Sequence, residues 1–358
     1  MIADRLSRLR DFLREKKADA VVVNKEVNLH YFSGFRGDDT LLLVSQADAL
    51  LVTDSRYTEQ ATEQAPLFEV VEQKKGLFAR AAECVKARGW KKLAFEGNAM
   101  LYDSFAQLGE LLGAEAALDV PVHLDELRQV KDAEEIARMK KAAAIGDEAF
   151  SDIVKFIRPG ISEREVAARL ETTMRALGSE RPAFTTIVAS GVRGSLPHGV
   201  ATEKLIVSGE FVTMDYGAVY EGYHSDMTRT VCVGRASEEQ RSLYQTVLDA
   251  QEFGVSLVKP GASGKAIDGA VRQRLTDAGY GEYFGHGLGH SLGLEIHEEP
   301  RLSKQSACEH LIPGMFVTVE PGVYLPGKGG LRIEDTVLVT ETGGEILTTS
   351  SKKLIEIL

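Results

Sequence analysis

The chain has 358 residues, 44% hydrophobic and 27% charged, which is enough for a sizeable core and fits two globular domains. Its net charge of −11 and pI near 5.4 exclude a basic footprint for nucleic acid or an anionic membrane surface. Three scattered cysteines, Cys84, Cys232 and Cys308, form no CxxC and exclude a disulfide scaffold or a zinc ribbon.

The first ten residues are too charged for a signal peptide, and no apolar run approaches the ~18 residues of a membrane helix. The expectation is a soluble cytoplasmic protein with reduced thiols. Leu6, Leu9, Leu13 and Ala18 mark an amphipathic first helix, and residues 20–23 a buried strand. Strand-like runs recur at 41–44 and 49–53, with helical stretches at 57–64 and 76–88. Alternation of this kind favours an open, partly parallel sheet carrying helices. No cluster of acids with histidines occurs in this third. The polar segment 125–132 leads into a long helix over 133–157, with Ile136, Met139, Ala143, Phe150 and Val154 at helical spacing. The expected domains are 1–125 and 126–358.

The second domain states its pattern twice. Gly209-Glu210-Phe211-Val212-Thr213-Met214-Asp215-Tyr216-Gly217 returns as Gly314-Met315-Phe316-Val317-Thr318-Val319-Glu320-Pro321-Gly322. Asp215 therefore lies over Glu320, and Asp226-Met227-Thr228 lies over Glu334-Asp335-Thr336. Upstream, Arg158-Pro159-Gly160 matches Lys259-Pro260-Gly261. Each copy reads helix, Pro-Gly turn, helix, then a strand ending on an acid and a second strand bearing another.

Acids are depleted in strands, so four of them at duplicated strand positions need a reason beyond solvated faces. Asp215 and Asp226 flank a turn at Tyr220-Glu221-Gly222, Glu320 precedes the turn Pro321-Gly322, and Glu334 is expected on a strand over 331–339. Two halves packed face to face would converge four carboxylates. Without cations these would repel and several would protonate. Two divalent ions balance them and activate water, which points to metal-assisted hydrolysis. Of the eight histidines, five lie between His198 and His297, and His286, His290 and His297 fall in one glycine-rich stretch. His224 and His310 read as ordinary polar positions.

Three motifs mislead. Gly289-His290-Ser291-Leu292-Gly293 fits the G-x-S-x-G elbow of serine hydrolases, but glycines precede it and Pro300 follows too soon for the required helix. This serine-hydrolase reading is the alternative, and it leaves the duplicated acids unexplained. The run 322–328 nearly fits a phosphate-binding loop, but Gly329 stands where Ser or Thr must hold magnesium. The run 285–289 is not G-x-G-x-x-G, so a dinucleotide site has no support.

The motifs Asp215-Tyr216-Gly217-Ala218, Ser225-Asp226-Met227-Thr228-Arg229-Thr230, His286-Gly287-Leu288-Gly289-His290, His297-Glu298, Val319-Glu320-Pro321-Gly322 and Arg332-Ile333-Glu334-Asp335 resemble those of the pita-bread metallopeptidases. Within that family the chain is most similar to Xaa-Pro dipeptidases (prolidases) and Xaa-Pro aminopeptidases. The resemblance implies an α/β (α+β) fold: a C-terminal pita-bread domain of two duplicated halves, preceded by a smaller creatinase-type α/β domain.

It further implies two metal ions held by Asp215, Asp226, His290, Glu320 and Glu334, with manganese or cobalt favoured and zinc compatible. By the same resemblance, a hydroxide bridging the metals attacks the bond before proline. Glu320 serves as general base and acid, His297 donates to the oxyanion, and His198 contacts the substrate. His286, Arg332 and Tyr324 are implied on the proline side. Small peptides with proline second are the implied partners, and a homodimer the implied assembly. Arg36, Gly37, Asp38 and Asp39 are candidates for a loop limiting substrate length.

Met227 stands where the family usually has isoleucine, and Ser351 where it has proline; neither is a ligand position. A methionine aminopeptidase would lack the first domain, whereas creatinase and catalytically inactive peptide-binding relatives would lack the ligands.

Overall fold

The computed structural model describes residues 1–358 and divides into two compact units, Met1–Arg128 and Gln129–Leu358. No helix is long and apolar enough to cross a membrane.

The first unit runs α1 (Ile2–Lys16), β1 (Ala20–Val23), α2 (Glu26–Ser33), β2 (Leu41–Ser45), β3 (Ala49–Thr53), α3 (Thr58–Gln64), β4 (Glu69–Glu72), α4 (Leu77–Arg88), β5 (Lys92–Glu96), α5 (Tyr102–Leu112) and β6 (Ala117–Val122). Its six strands form one mixed sheet in the order β4-β3-β2-β1-β5-β6. The partners of β1 are β2, antiparallel, and β5, parallel. Every residue of β1 and β2 is buried, because both sheet faces are covered. On one face Ala20, Val22, Leu41 and Leu43 pack with Val85, Leu108 and Leu112 of α4 and α5. The segment Leu124–Arg128 belongs to this unit because Asp125 bonds Lys25, Asn28 and Asn98.

The second unit begins with α6 (Ala133–Phe156) and α7 (Glu163–Ala176), followed by β7 (Ile187–Ser190), β8 (Glu210–Tyr216), β9 (Val219–Tyr220), β10 (Tyr223–His224) and β11 (Met227–Val233). The repeat then supplies α8 (Glu238–Leu257), α9 (Gly264–Asp277), β12 (Gly289–Ser291), β13 (Glu298–Leu302), β14 (Phe316–Val319), β15 (Gly322–Leu325), β16 (Gly329–Arg332), β17 (Asp335–Val339), β18 (Gly344–Ile346) and β19 (Glu356–Ile357).

Helix starts follow from capping chemistry: Asp132, Ser162 and Ser237 each accept backbone N–H bonds and complete capping boxes with Glu135, Glu165 and Gln240. Both Pro-Gly turns close through left-handed glycines, Gly160 and Gly261. In each half an antiparallel pair carries the acids, β8 with β11 and β14 with β17. The duplication extends to the backbone. Gly209 and Gly314, both at φ 90, donate to the last residues of the partner strands, Val233 and Val339.

The two halves meet through equivalent residues. The Thr228 hydroxyl donates to Glu334 at 2.6 Å, and the Thr336 hydroxyl donates to the Asp226 carbonyl at 2.9 Å. Each half thus supplies the threonine two residues after its own acid to the acid of the other. One expectation needs correction. Glu334 does not lie within a continuous strand, because pairing breaks between β16 and β17 at Ile333-Glu334, where the Glu334 N–H turns to the Thr228 carbonyl.

Candidate active site

Asp215 is the penultimate residue of β8, and Thr228 faces it across the ladder. The turn between β9 and β10 has Glu221 and Gly222 at positive φ, which brings Asp226 back to the head of β11 beside Asp215. Asp215, Asp226 and Glu334 can each present an oxygen so that all three lie within 4.8 Å of one another. His290 stands on β12, with Nε2 3.5 Å from both an Asp226 and a Glu320 oxygen. All five expected ligand positions are therefore neighbours. Gly289 makes this approach possible: a Cβ there would fall 1.9 Å from the Thr318 carbonyl oxygen.

The donor set suits a cation. Asp215 Oδ1, Asp226 Oδ1 and Glu334 Oε1 are buried and receive no hydrogen bond from the chain. Such oxygens are costly unless a positive group reaches them. The Nδ1 of His290 lies 3.0 Å from the Ser291 carbonyl, which can only accept, so the proton sits on Nδ1 and Nε2 is left bare. Burial, then the neighbouring carboxylates, push Asp226 and Glu334 well above the usual carboxylate range, with Arg332 opposing. Burial raises Glu320 to about 7 against the pull of Arg332, and lowers His290 to about 3 with help from His297. Buried oxygens that lack donors, beside a neutral imidazole with its Nε2 free, form an oxygen-rich site for divalent metal.

A cleft of about 690 Å³ opens onto these acids. His198, His286, His297 and Arg332 line it with Phe184, Ile187, Val200 and Ile296. The rings of His290 and His297 meet edge to face with centroids 4.5 Å apart. Burial, then Arg301, lowers the pKa of His297.

Arg332 is almost fully spent within the site. It pairs with Asp215 and donates to Thr228 at 3.0 Å, to the Tyr324 hydroxyl at 2.8 Å and to the Pro197 carbonyl at 3.1 Å. Tyr324, expected to line the same region, stands one layer behind. Its hydroxyl bonds Arg332 and His286 Nε2, and it is absent from the cleft wall. Burial, then Arg332, lowers His286 to about 4, so its ring is neutral and accepts from Tyr324.

The serine-elbow alternative fails on geometry. Ser291 is fully buried on β12, no helix follows it, and its hydroxyl faces Lys131 at 3.4 Å. Residues that the sequence reading did not assign also hold the site. Thr318 spans His290 N–H and Glu320, and the buried Lys131–Glu298 pair at 3.0 Å braces the strand after His297. On α9, Asp268 accepts from Leu288 N–H at 3.0 Å and pairs with Arg272, which donates to the Phe284 and His286 carbonyls. Thr228 and Thr336 were visible as members of the duplicated motif; Lys131 and Asp268 had no signal of that kind.

Comparison with known proteins places this arrangement in a class. Residues 137–341 match the model of metallopeptidase family M24, and residues 5–130 match the creatinase/prolidase N-terminal domain. The chain belongs to metallopeptidase family M24 and is a metallopeptidase with the pita-bread fold and a creatinase-type first domain. A solved Xaa-Pro dipeptidase from Bacillus anthracis is 44% identical with a TM-score of 0.96, covering 99% of this chain and 100% of that one. An X-Pro aminopeptidase structure from Thermotoga maritima is 39% identical with a TM-score of 0.91, covering 98% and 99%. The Xaa-Pro dipeptidase of Pyrococcus furiosus is 41% identical over 354 residues, covering 98% of this chain and 99% of the relative. An M24 metallopeptidase works with divalent metal, and the buried acids described above provide for it.

Proposed function

We propose that this chain hydrolyses the bond between a first residue and proline in dipeptides or short peptides. Two divalent cations would be held by Asp215, Asp226, His290, Glu320 and Glu334. The observation that carries the reading is the trio of partnerless carboxylate oxygens, one each on Asp215, Asp226 and Glu334. Bound there, the cations would balance the acids and make a water nucleophilic near neutral pH. Manganese or cobalt is the preferred pair, and zinc is compatible with the donor set.

The chain's own groups divide the remaining work. Glu320, raised to about 7 and steadied by Thr318, can take a proton from the attacking water and return it to the proline nitrogen as the bond breaks. His297, at the cleft wall beside His290, donates to the carbonyl oxygen as charge develops on it. His198 contacts the substrate near the scissile bond. His286 and Arg332, linked through the Tyr324 hydroxyl, form the side that receives the proline end, with Tyr324 acting through them. The apolar wall of Phe184, Ile187, Val200 and Ile296 suits a hydrophobic first residue. The reading includes a homodimer in the cytoplasm, and three free cysteines suit a reducing compartment.

The test is a metal-stripped preparation given Mn²⁺, Co²⁺ or Zn²⁺ on an Xaa-Pro dipeptide and an Xaa-Pro-Xaa tripeptide in parallel. Metal-dependent cleavage of the dipeptide alone defines a dipeptidase, and cleavage of the tripeptide an aminopeptidase. No cleavage of either with any metal rejects the proposal.

A further inference from the structure

The loop that carries His198 is fastened by a side chain that belongs neither to the acid cluster nor to the cleft wall. Glu163, the first residue of α7, is fully buried. Its Oε1 accepts from Ser190 N–H at 2.8 Å and from the Ser190 hydroxyl at 2.9 Å. Its Oε2 accepts from Thr202 N–H at 3.1 Å, the Thr202 hydroxyl at 2.7 Å and Arg193 Nε at 2.9 Å. One carboxylate therefore joins the two ends of residues 190–202. The loop is cross-braced by Arg193, whose Nη2 donates to the Val200 carbonyl at 2.7 Å, and the backbone of α7 adds bonds from Glu163 and Arg164 to the Lys204 and Thr202 carbonyls.

At the other side of the loop, Arg332 donates to the Pro197 carbonyl, the residue before His198. His198 itself is exposed, so its backbone, and not packing of its ring, sets where the imidazole can reach. A buried carboxylate is expensive unless its partners are excellent. Glu163 has five donors, and all five lie in the one loop.

We infer that Glu163 is a positioning residue for the reaction: it clamps residues 190–202 so that His198 faces the cleft. The inference rests on the proposed substrate contact of His198. Glu163→Gln keeps the volume but turns an NH₂ group toward N–H and O–H donors on one side, releasing that end of the loop.

The experiment has two arms. In the metal-free protein, hydrogen exchange compares E163Q with wild type; amides of 190–204 are expected to exchange about tenfold or more faster, with β8 and β11 unchanged. In the manganese-loaded enzyme on an Xaa-Pro dipeptide, kcat of E163Q is expected to fall about tenfold to a hundredfold with a smaller change in KM. The double variant E163Q/H198A is expected to be no slower than H198A, because both act through one imidazole. Thr202→Val, which removes one donor, is expected to shift both readouts less in the same direction. If E163Q does not fold, T202V and R193M carry the test, with shifts expected in the same direction and smaller.

Wild-type exchange in the loop of E163Q overturns the clamp whatever H198A does. Losses that multiply in the double variant overturn the route through His198. Full activity of H198A overturns the inference by removing its purpose. If the loop of E163Q still exchanges faster in that case, the failure lies with the substrate contact and not with the clamp.

Discussion

In the first unit the buried Glu96 and the half-buried Asp125 are ringed by donors, whereas in the second Asp215, Asp226 and Glu334 each keep an oxygen that nothing in the chain reaches. Glu96 accepts from Asn24 N–H, Lys25 N–H and Asn28, at 2.5 to 2.8 Å. Asp125 accepts from Lys25, Asn28, Asn98 and Arg128, all at 2.9 to 3.0 Å. Burial raises Asp125, yet Lys25 and Arg128 outweigh it and bring the carboxyl down to about 2. In the second unit burial and mutual repulsion go the same way, with Arg332 opposing them. The first cluster has its oxygens met by donors of the chain, although burial still raises Glu96, and can serve structure. The second is closed only when cations arrive, and so its sequence serves chemistry at a cost to the metal-free fold.

The comparison can be broken most sharply at the proposed ligands. Asp226→Asn and Glu334→Gln are each expected to lower kcat/KM by more than about a hundredfold, the loss typical of removing mere outer-shell partners. Equilibrium dialysis should show reduced metal uptake; a variant with full uptake and activity would remove that acid from the ligand set.

Chelation comes next in size. Stripping metal from wild type is expected to cost about 3 kcal/mol when the free ion stands a hundredfold above its Kd, read as a fall in Tm. The same treatment should leave the Tm of D226N nearly unchanged.

A third contrast concerns the fold alone. Glu96→Gln leaves buried backbone donors poorly paired and is expected to destabilise by about 1–3 kcal/mol in denaturant melts. Metal-free E334Q is expected to be no less stable than metal-free wild type, because a neutral group of the same shape replaces a carboxyl whose ionisation burial and its acidic neighbours oppose; a large loss there would mean the acids are structural. The smallest effect is a pH effect. The folded pKa of Asp125, about 2, lies below its ordinary 3.8, so its contribution is present above 3.8 and is lost as pH falls toward 2. With solvent screening this amounts to no more than about 1 kcal/mol. Asp125→Asn should flatten that part of the stability profile.

The duplicated runs ending on Asp215 and Glu320, with Asp226 and Glu334 following, were legible because strand positions that repeat an acid stand out against the ordinary exclusion of acids from strands. The helices at the Pro-Gly turns were legible from the repeated turn signal between them. In the first unit α2, α5, β4, β5 and β6 escaped notice; β4 and β6 are short, mostly exposed edge strands, and α5 buries only Leu108 and Leu112, so their apolar patterns are sparse. What the linear chain determined by itself was the repeat, the residue types at the site and their order. Only the tertiary structure decided that Thr228 and Thr336 cross between halves, that pairing breaks at Glu334, that Tyr324 stands behind Arg332, and that Glu163 holds a loop ending some forty residues away. These depend on side chains brought together across long stretches of chain, where neither periodicity nor local propensity reports which atoms will meet.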